Sequence, residues 1–181
     1  MNRMMQEALH SNPVAAASDK YSLNIALLNA RSAKHHFTDI LAHPVLHTAD
    51  IVCLTEANVY ANSIKYYERQ GWTLKFLEKS SVENCHGLLF FCKENCSVVY
   101  CTSLYVPHLE QLFVEISSTN CVSSLCLVYR SPSTTPGDFI ADMTTTVSDR
   151  APDVLLGDFS ISLGPAHTDN CNNNFRTTNR W

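Results

Sequence analysis

A chain of 181 residues is long enough for one well-cored domain and too short for two comfortable ones. Hydrophobic residues make up 45% of it and charged residues 17%, with only five glycines and seven prolines, which excludes a disordered, fibrous or low-complexity protein. The formal charge of −4 excludes a global basic field, so any contact with nucleic acid has to come from a local patch or from metal ions.

The opening "MNRMMQEALHSNPVAAASDK" has no apolar core of signal-peptide length and reads as a flexible lead-in over 1–20. Nothing later approaches a membrane span, so an intracellular chain, cytoplasmic or nuclear and not secreted, is expected. The domain is expected over 21–163. "SLNIALLNA" (22–30) is a buried strand, and "SAKHHFTDILA" (32–42) is a helix with Ser32 available as N-cap. "DIVCLTEA" (50–57) is a second apolar strand, and "ANSIKYYERQ" (61–70) is a further helix closed by Gly71. Five strand-like segments then follow at consecutive spacing: "WTLKFLEK" (72–79), "HGLLFFCK" (86–93), "CSVVYCTS" (96–103), "QLFVEIS" (111–117) and "NCVSSLCLVYR" (120–130). In "TPGDFIADMTTTVSD" (135–149) Thr135 and Asp138 offer a capping box, and Phe139, Ile140, Met143 and Val147 share a helical face. "DVLLGDF" (153–159) closes the ordered part, and 164–181 reads as an irregular tail. The order β-α-β-α, a block of strands, then α-β predicts a mixed α/β domain with a largely antiparallel middle.

Eight cysteines suggest disulfides or zinc, but Cys53, Cys92, Cys121 and Cys126 sit inside apolar runs, where free cysteine acts as a small hydrophobe. "CKENC" has no second ligand pair at zinc-finger spacing, so reduced thiols are expected.

Four apolar strands end in polar groups: Asn29 followed by Arg31, then Glu56, then Tyr129-Arg130, then Asp158. Strand ends gather at one rim of a sheet, so these groups can converge on one cleft. Two carboxylates, an amide, a phenol and an arginine are what metal-assisted phosphodiester hydrolysis requires, since Mg²⁺ takes oxygen ligands and one or two carboxylates. Arg130 can pair with phosphate oxygens and Tyr129 can donate to them. Each residue also has a structural reading. Glu56 and Asp158 can be solvated strand ends, Asn29 an Asx-turn former, Tyr129 a core residue, and Gly157-Asp158 simple turn chemistry.

"LNIALLNARSAK", "DIVCLTEANV", "HGLLFFCK", "SLCLVYRSPSTTPGDFIADM" and "DVLLGDFSISL", in this order, resemble the endonuclease/exonuclease/phosphatase superfamily over about residues 22–163. The likeness is greatest to the endonuclease domain of LINE-type non-LTR retrotransposons. It implies a four-layer α/β sandwich of two packed, mostly antiparallel sheets with helices outside, and Mg²⁺- or Mn²⁺-dependent phosphoester cleavage, with DNA as the substrate. By that resemblance Glu56 is the principal metal ligand, Asn29 lies near metal and phosphate, Tyr129 contacts phosphate, and Asp158 acts on the attacking water.

Two departures stand out. Ser160 replaces the asparagine that follows Gly-Asp-Phe in this branch, leaving a shorter hydroxyl as the phosphate-binding group. No Ser-Asp-His segment follows Leu163, where the family places its essential histidine; His167-Thr168-Asp169 comes too soon after Asp158. The sandwich is therefore expected to be incomplete at its C-terminal end, the metal weakly held, and activity weak or lost. An uncovered sheet edge would then favour self-association. The alternatives are a non-catalytic module binding nucleic acid or protein, and a phosphatase of the same superfamily.

Overall fold

The structure is a computed structural model that describes residues 23–79, 85–104, 106–118 and 121–159. The expected lead-in, Ser160 and the 164–181 tail lie outside these residues.

Among the described residues, eight strands form two four-stranded sheets. β1 (Ile25–Asn29), β2 (Ile51–Thr55), β3 (Trp72–Leu77) and β4 (Leu88–Lys93) make the first, in the order β1-β2-β4-β3. β5 (Ser97–Ser103), β6 (Leu109–Ser118), β7 (Cys121–Arg130) and β8 (Val154–Asp158) make the second, in the order β5-β6-β7-β8. β1 runs parallel to β2 and β8 parallel to β7, and the remaining pairs are antiparallel. α1 (Ala33–Ala42), α2 (Pro44–Thr48) and a 3-10 helix (Ala61–Tyr67) belong to the first half, and α3 (Pro136–Arg150) to the second.

The period-two alternation of each strand sorts its side chains into layers. Ile51, Cys53, Leu88, Phe90 and Cys92 of the first sheet meet Leu112, Val114, Ile116, Leu125, Leu127 and Tyr129 of the second in one core between the sheets. On the outer face of the first sheet, Val52, Leu54, Leu89 and Phe91 pack against Phe37 and Ile40 of α1, Leu46 of α2 and Tyr67. On the outer face of the second, Phe113, Cys126 and Val128 meet Phe139 and Met143 of α3. The layers are helix, sheet, sheet, helix. Cys53, Cys92 and Cys126 are buried as small apolar side chains, as their runs predict.

Three local expectations are corrected. The segment 61–70 is a 3-10 helix that stops at Tyr67, and Ser32 makes no side-chain cap, its φ of 90° turning it away from the usual cap geometry. The face of α3 is also rotated: Ile140 and Val147 are exposed, while Asp142 and Thr146 are buried. The cause is polar. Gln111, fully buried on β6, accepts from Thr146 Oγ1 at 2.8 Å, and Asp142 accepts the His108 backbone N–H at 2.7 Å. Buried polar groups demand partners, and these two outweigh the apolar positions nearby. Thr135 does cap α3, its hydroxyl accepting from Asp138 N–H at 3.2 Å. Among the described residues no helix is long and apolar enough to cross a membrane.

Candidate active site

The parallel pairs β1–β2 and β7–β8 place Asn29 opposite Thr55, one residue before Glu56, and Asp158 opposite Tyr129. The loops leaving β1 and β2 are zipped together by three backbone bonds: Ala30 N–H to Thr55 O, Ser32 N–H to Glu56 O and Ala33 N–H to Ala57 O, at 2.8–2.9 Å. Arg31, Ser32, Glu56 and Asn58 all have positive φ, a conformation that costs non-glycine residues energy. Such strain persists only where surrounding bonds over-determine it, and here the zipper does so.

The side chains converge. Asn29 Nδ2 donates to Glu56 Oε1 at 2.9 Å and to Asp158 Oδ2 at 2.8 Å. Tyr129 donates its hydroxyl to Glu56 Oε1 at 2.8 Å. Asn29 Oδ1 accepts from Arg31 N–H at 3.1 Å, which fixes the amide so that its NH₂ faces the two carboxylates. One neutral amide thus holds two carboxylates side by side and offsets their repulsion. Burial pushes the Tyr129 phenol well above the ordinary tyrosine range, and its bond to Glu56 adds to the shift, as do the charges of Glu56, Glu110 and Asp158. Tyr129 is therefore a fixed donor.

Among the described residues, Arg130 is held by other partners. It is 6% exposed, and its amino groups donate to the backbone carbonyls of Thr134 and, at 3.0 Å, Phe159, with the guanidinium over the Phe139 ring. It ties down the chain just after Asp158. Ser160 lies outside the described residues.

Gly157 explains the end of β8. A Cβ there would stand 2.0 Å from Val128 O and 2.8 Å from Val128 C, so only glycine lets β8 approach β7 this closely. Gly157 and Asp158 are strand residues rather than a turn.

Two residues that sequence reasoning passed over adjoin the cluster. Glu110 faces Tyr129 in the β6–β7 register, and His86 stacks edge-on against the Tyr129 ring at 5.2 Å. Their signal is faint in sequence, because it depends on counting back along β6 from the two residues that separate it from β7. Beside Asn29, a cavity of about 280 Å³ opens between β1 and α1, lined by Leu28, Arg31, His36, Asp39 and His43.

The donor set suits a hard cation only in its open form. Among the described residues no three His, Cys, Asp or Glu side chains converge as a cage. What the cleft offers is oxygen: Glu56, with Asp158 beside it, which matches an ion that keeps most of its waters.

By sequence the chain matches no protein-family model and no curated protein. Its likeness lies in structure. An endonuclease/exonuclease/phosphatase family protein from Bacteroides thetaiotaomicron superposes with a TM-score of 0.54 at 11% identity, covering 80% of this chain and 66% of that one. D. rerio TDP2 complexed with a single-strand DNA product gives 0.54 at 12%, covering 77% and 61%. ANGEL2, a 2′,3′-cyclic phosphatase, gives 0.52 at 12%, covering 78% and 54%. The chain has the fold of the endonuclease/exonuclease/phosphatase superfamily. It spans between 54% and 66% of the length of these three proteins.

Proposed function

We propose that this cleft is a metal-assisted phosphoester-hydrolase site of the DNA-directed, retrotransposon endonuclease type, with Glu56 the ligand of a weakly held Mg²⁺ or Mn²⁺. The observation that carries the reading is the bonded set Asn29, Glu56, Tyr129 and Asp158, drawn from four strands to one rim. A divalent cation supplies charge for a phosphoryl oxygen. The chain's own residues do the positioning. Tyr129 and Asn29 hold Glu56 from one side, Asn29 sets Asp158 beside it, and the Asp158 carboxylate orients an attacking water. The nuclease branch rests on the "YRSP" and "GDF" segments. TDP2 with its DNA product and the cyclic phosphatase ANGEL2 mark the range of phosphoester chemistry the fold carries.

The 181-residue sequence contains no Ser-Asp-His segment. One transition-state donor is worth ~10²–10³ in rate and a general acid–base group ~10²–10⁴. The 181-residue polypeptide assayed by itself is therefore expected to nick plasmid DNA below detection. Calorimetry with Mn²⁺ tests the metal: wild type should bind weakly and Glu56→Gln not at all. Equal binding by both would remove Glu56 from the role. Robust nicking abolished by Asp158→Ala would establish an active enzyme and overturn the expected inactivity.

A further inference from the structure

Glu110 is committed to two adjacent residues. Its Oε1 accepts the His86 backbone N–H at 2.6 Å and lies 3.1 Å from His86 Nδ1, while its Oε2 accepts Gly87 N–H at 2.8 Å. Glu110 already accepts two backbone N–H groups, so it is assigned as the acceptor from Nδ1–H as well, and Nε2 is left on the opposite edge of the ring. Nε2 has no hydrogen-bond partner among the described residues, and the side chain is 32% exposed.

A ring contact and two backbone bonds also hold the residue in place. The ring stands at 67° to Tyr129, whose hydroxyl donates to Glu56. His86 O accepts from Asn58 N–H at 2.7 Å and Gly87 O from Ala57 N–H at 3.0 Å, which clips this segment to the loop that carries Glu56. Gly87 has φ +83°, and a Cβ there would lie 3.1 Å from Leu77 O and 3.4 Å from Val59 Cγ2, so the turn has no slack. A histidine oriented by a carboxylate, locked by its backbone and left with one open nitrogen beside a carboxylate cluster is the geometry of a preorganised contact.

We propose that His86 is a phosphate-contacting residue of this cleft, held by Glu110 so that its Nε2–H donates to a phosphoryl oxygen of a phosphoester bound beside Tyr129. The proposal rests on reading the cleft as a phosphoester site. With a hydrogen on each ring nitrogen, one N–H serves Glu110 and the other is free to serve a phosphoryl oxygen. Among the described residues, Glu110 on β6 lies against the ring, and Glu56 and Asp158 act on the Tyr129 phenol beside it. Arg130 donates to the backbone carbonyls of Thr134 and Phe159.

The test uses the 181-residue chain with Mg²⁺ and thymidine 5′-phosphate, following histidine Cε1–H signals by NMR. His86→Gln assigns the signal. The His86 resonance should move on titration, and His86→Ala should weaken binding roughly tenfold or more, the loss expected of one charge-assisted hydrogen bond. Glu110→Gln, which loosens the ring while keeping its volume, should weaken binding as well and reduce the shift. His86→Gln serves in place of His86→Ala if the smaller side chain unsettles the fold. A stationary His86 signal, or unchanged affinity in both His86 variants, overturns the proposal. Glu56→Gln separates the two readings. If that variant loses the nucleotide while the wild-type His86 signal never moves, the metal site stands and the His86 contact falls. If His86 still responds in Glu56→Gln, the contact stands without that metal ligand.

Discussion

Asn29 and Asp158, 129 residues apart, are joined by a 2.8 Å hydrogen bond that links the end of β1 to the end of β8. These two strands lie at the edges of different sheets, so one amide bridges the two halves of the sandwich at the rim where Glu56 also sits. Replacing that amide by a third carboxylate puts three negative charges where two were held apart by a neutral donor. Asn29→Asp should therefore be less stable than Asn29→Ala, and less stable than wild type by on the order of 2–3 kcal/mol in metal-free buffer. Added Mg²⁺ should raise its melting temperature more than that of wild type, because a cation binds the folded cluster and not the unfolded chain. Thermal unfolding with and without Mg²⁺ measures both, and an Asn29→Asp variant as stable as wild type would contradict the clamp.

Tyr129 carries a pH signature. Its phenol is raised above the ordinary value of 10.0, mainly by burial and then by the bond to Glu56. The folded state thus keeps this proton when the unfolded state loses it. The contribution is complete below about pH 10 and is lost as pH rises beyond it, because the unfolded chain there binds fewer protons. Tyr129→Phe should cost about 1 kcal/mol at neutral pH, the worth of one hydrogen bond, and its stability should fall less steeply than wild type above pH 10. Urea unfolding at neutral and alkaline pH gives the comparison. Parallel curves for the two proteins would mean that the phenol titrates normally.

Asp153 works at the opposite end of β8. Its Oδ2 accepts from the Ser124 N–H at 2.7 Å and the Ser124 hydroxyl at 2.8 Å, and the backbone bond first, then the hydroxyl, lowers the carboxyl below its ordinary 3.8. A depressed carboxyl contributes stability above its unfolded value and loses it as pH falls. Asp153→Asn should therefore shrink the acid sensitivity of unfolding between about pH 5 and pH 2, which a pH series of denaturant midpoints reads directly. An unaltered series would leave Asp153 without that role.

Most of the strands were legible because they are apolar runs that no alternative element could bury. "IVCLT" and "LLFFC" are too short for buried helices and too apolar for loops. The meeting of Asn29, Glu56, Tyr129 and Asp158 was legible for a related reason, since each ends such a run. Other features depend on partners distant in sequence. The polar face of α3 is chosen by Gln111, which no local pattern in 135–149 reveals. Arg130 reads as a phosphate ligand by its place beside Tyr129, yet alternation turns its side chain the other way, toward Thr134, Phe139 and Phe159. α2, one short turn after Pro44, carries too few residues for a helical period to appear. His86 and Glu110 are hidden because their pairing crosses from the first sheet to the second.

Gly157 supplies the sharpest test of how the backbone positions the site. In the register that pairs Val128 with Gly157 and Tyr129 with Asp158, the strands come so close that a methyl group at 157 would fall 2.0 Å from Val128 O. That atom is backbone, so no rotamer change relieves the clash, and β8 must move as a strand. Moving β8 carries Asp158 away from Asn29, whose 2.8 Å bond tolerates little displacement, and pulls against the Arg130 hold on Phe159 O. Gly157→Ala should thus cost about 1–3 kcal/mol, a typical overpacking penalty, and should also shift the Asn29 side-chain NH₂ signals in a ¹⁵N spectrum. Asp158→Asn keeps the glycine and an oxygen acceptor for the Asn29 amide, so it should perturb those signals less and leave β8 in register. Should Gly157→Ala fold with wild-type stability and unmoved Asn29 signals, β8 would have to sit farther from β7 than described, and the close approach would not be what places Asp158 at the rim.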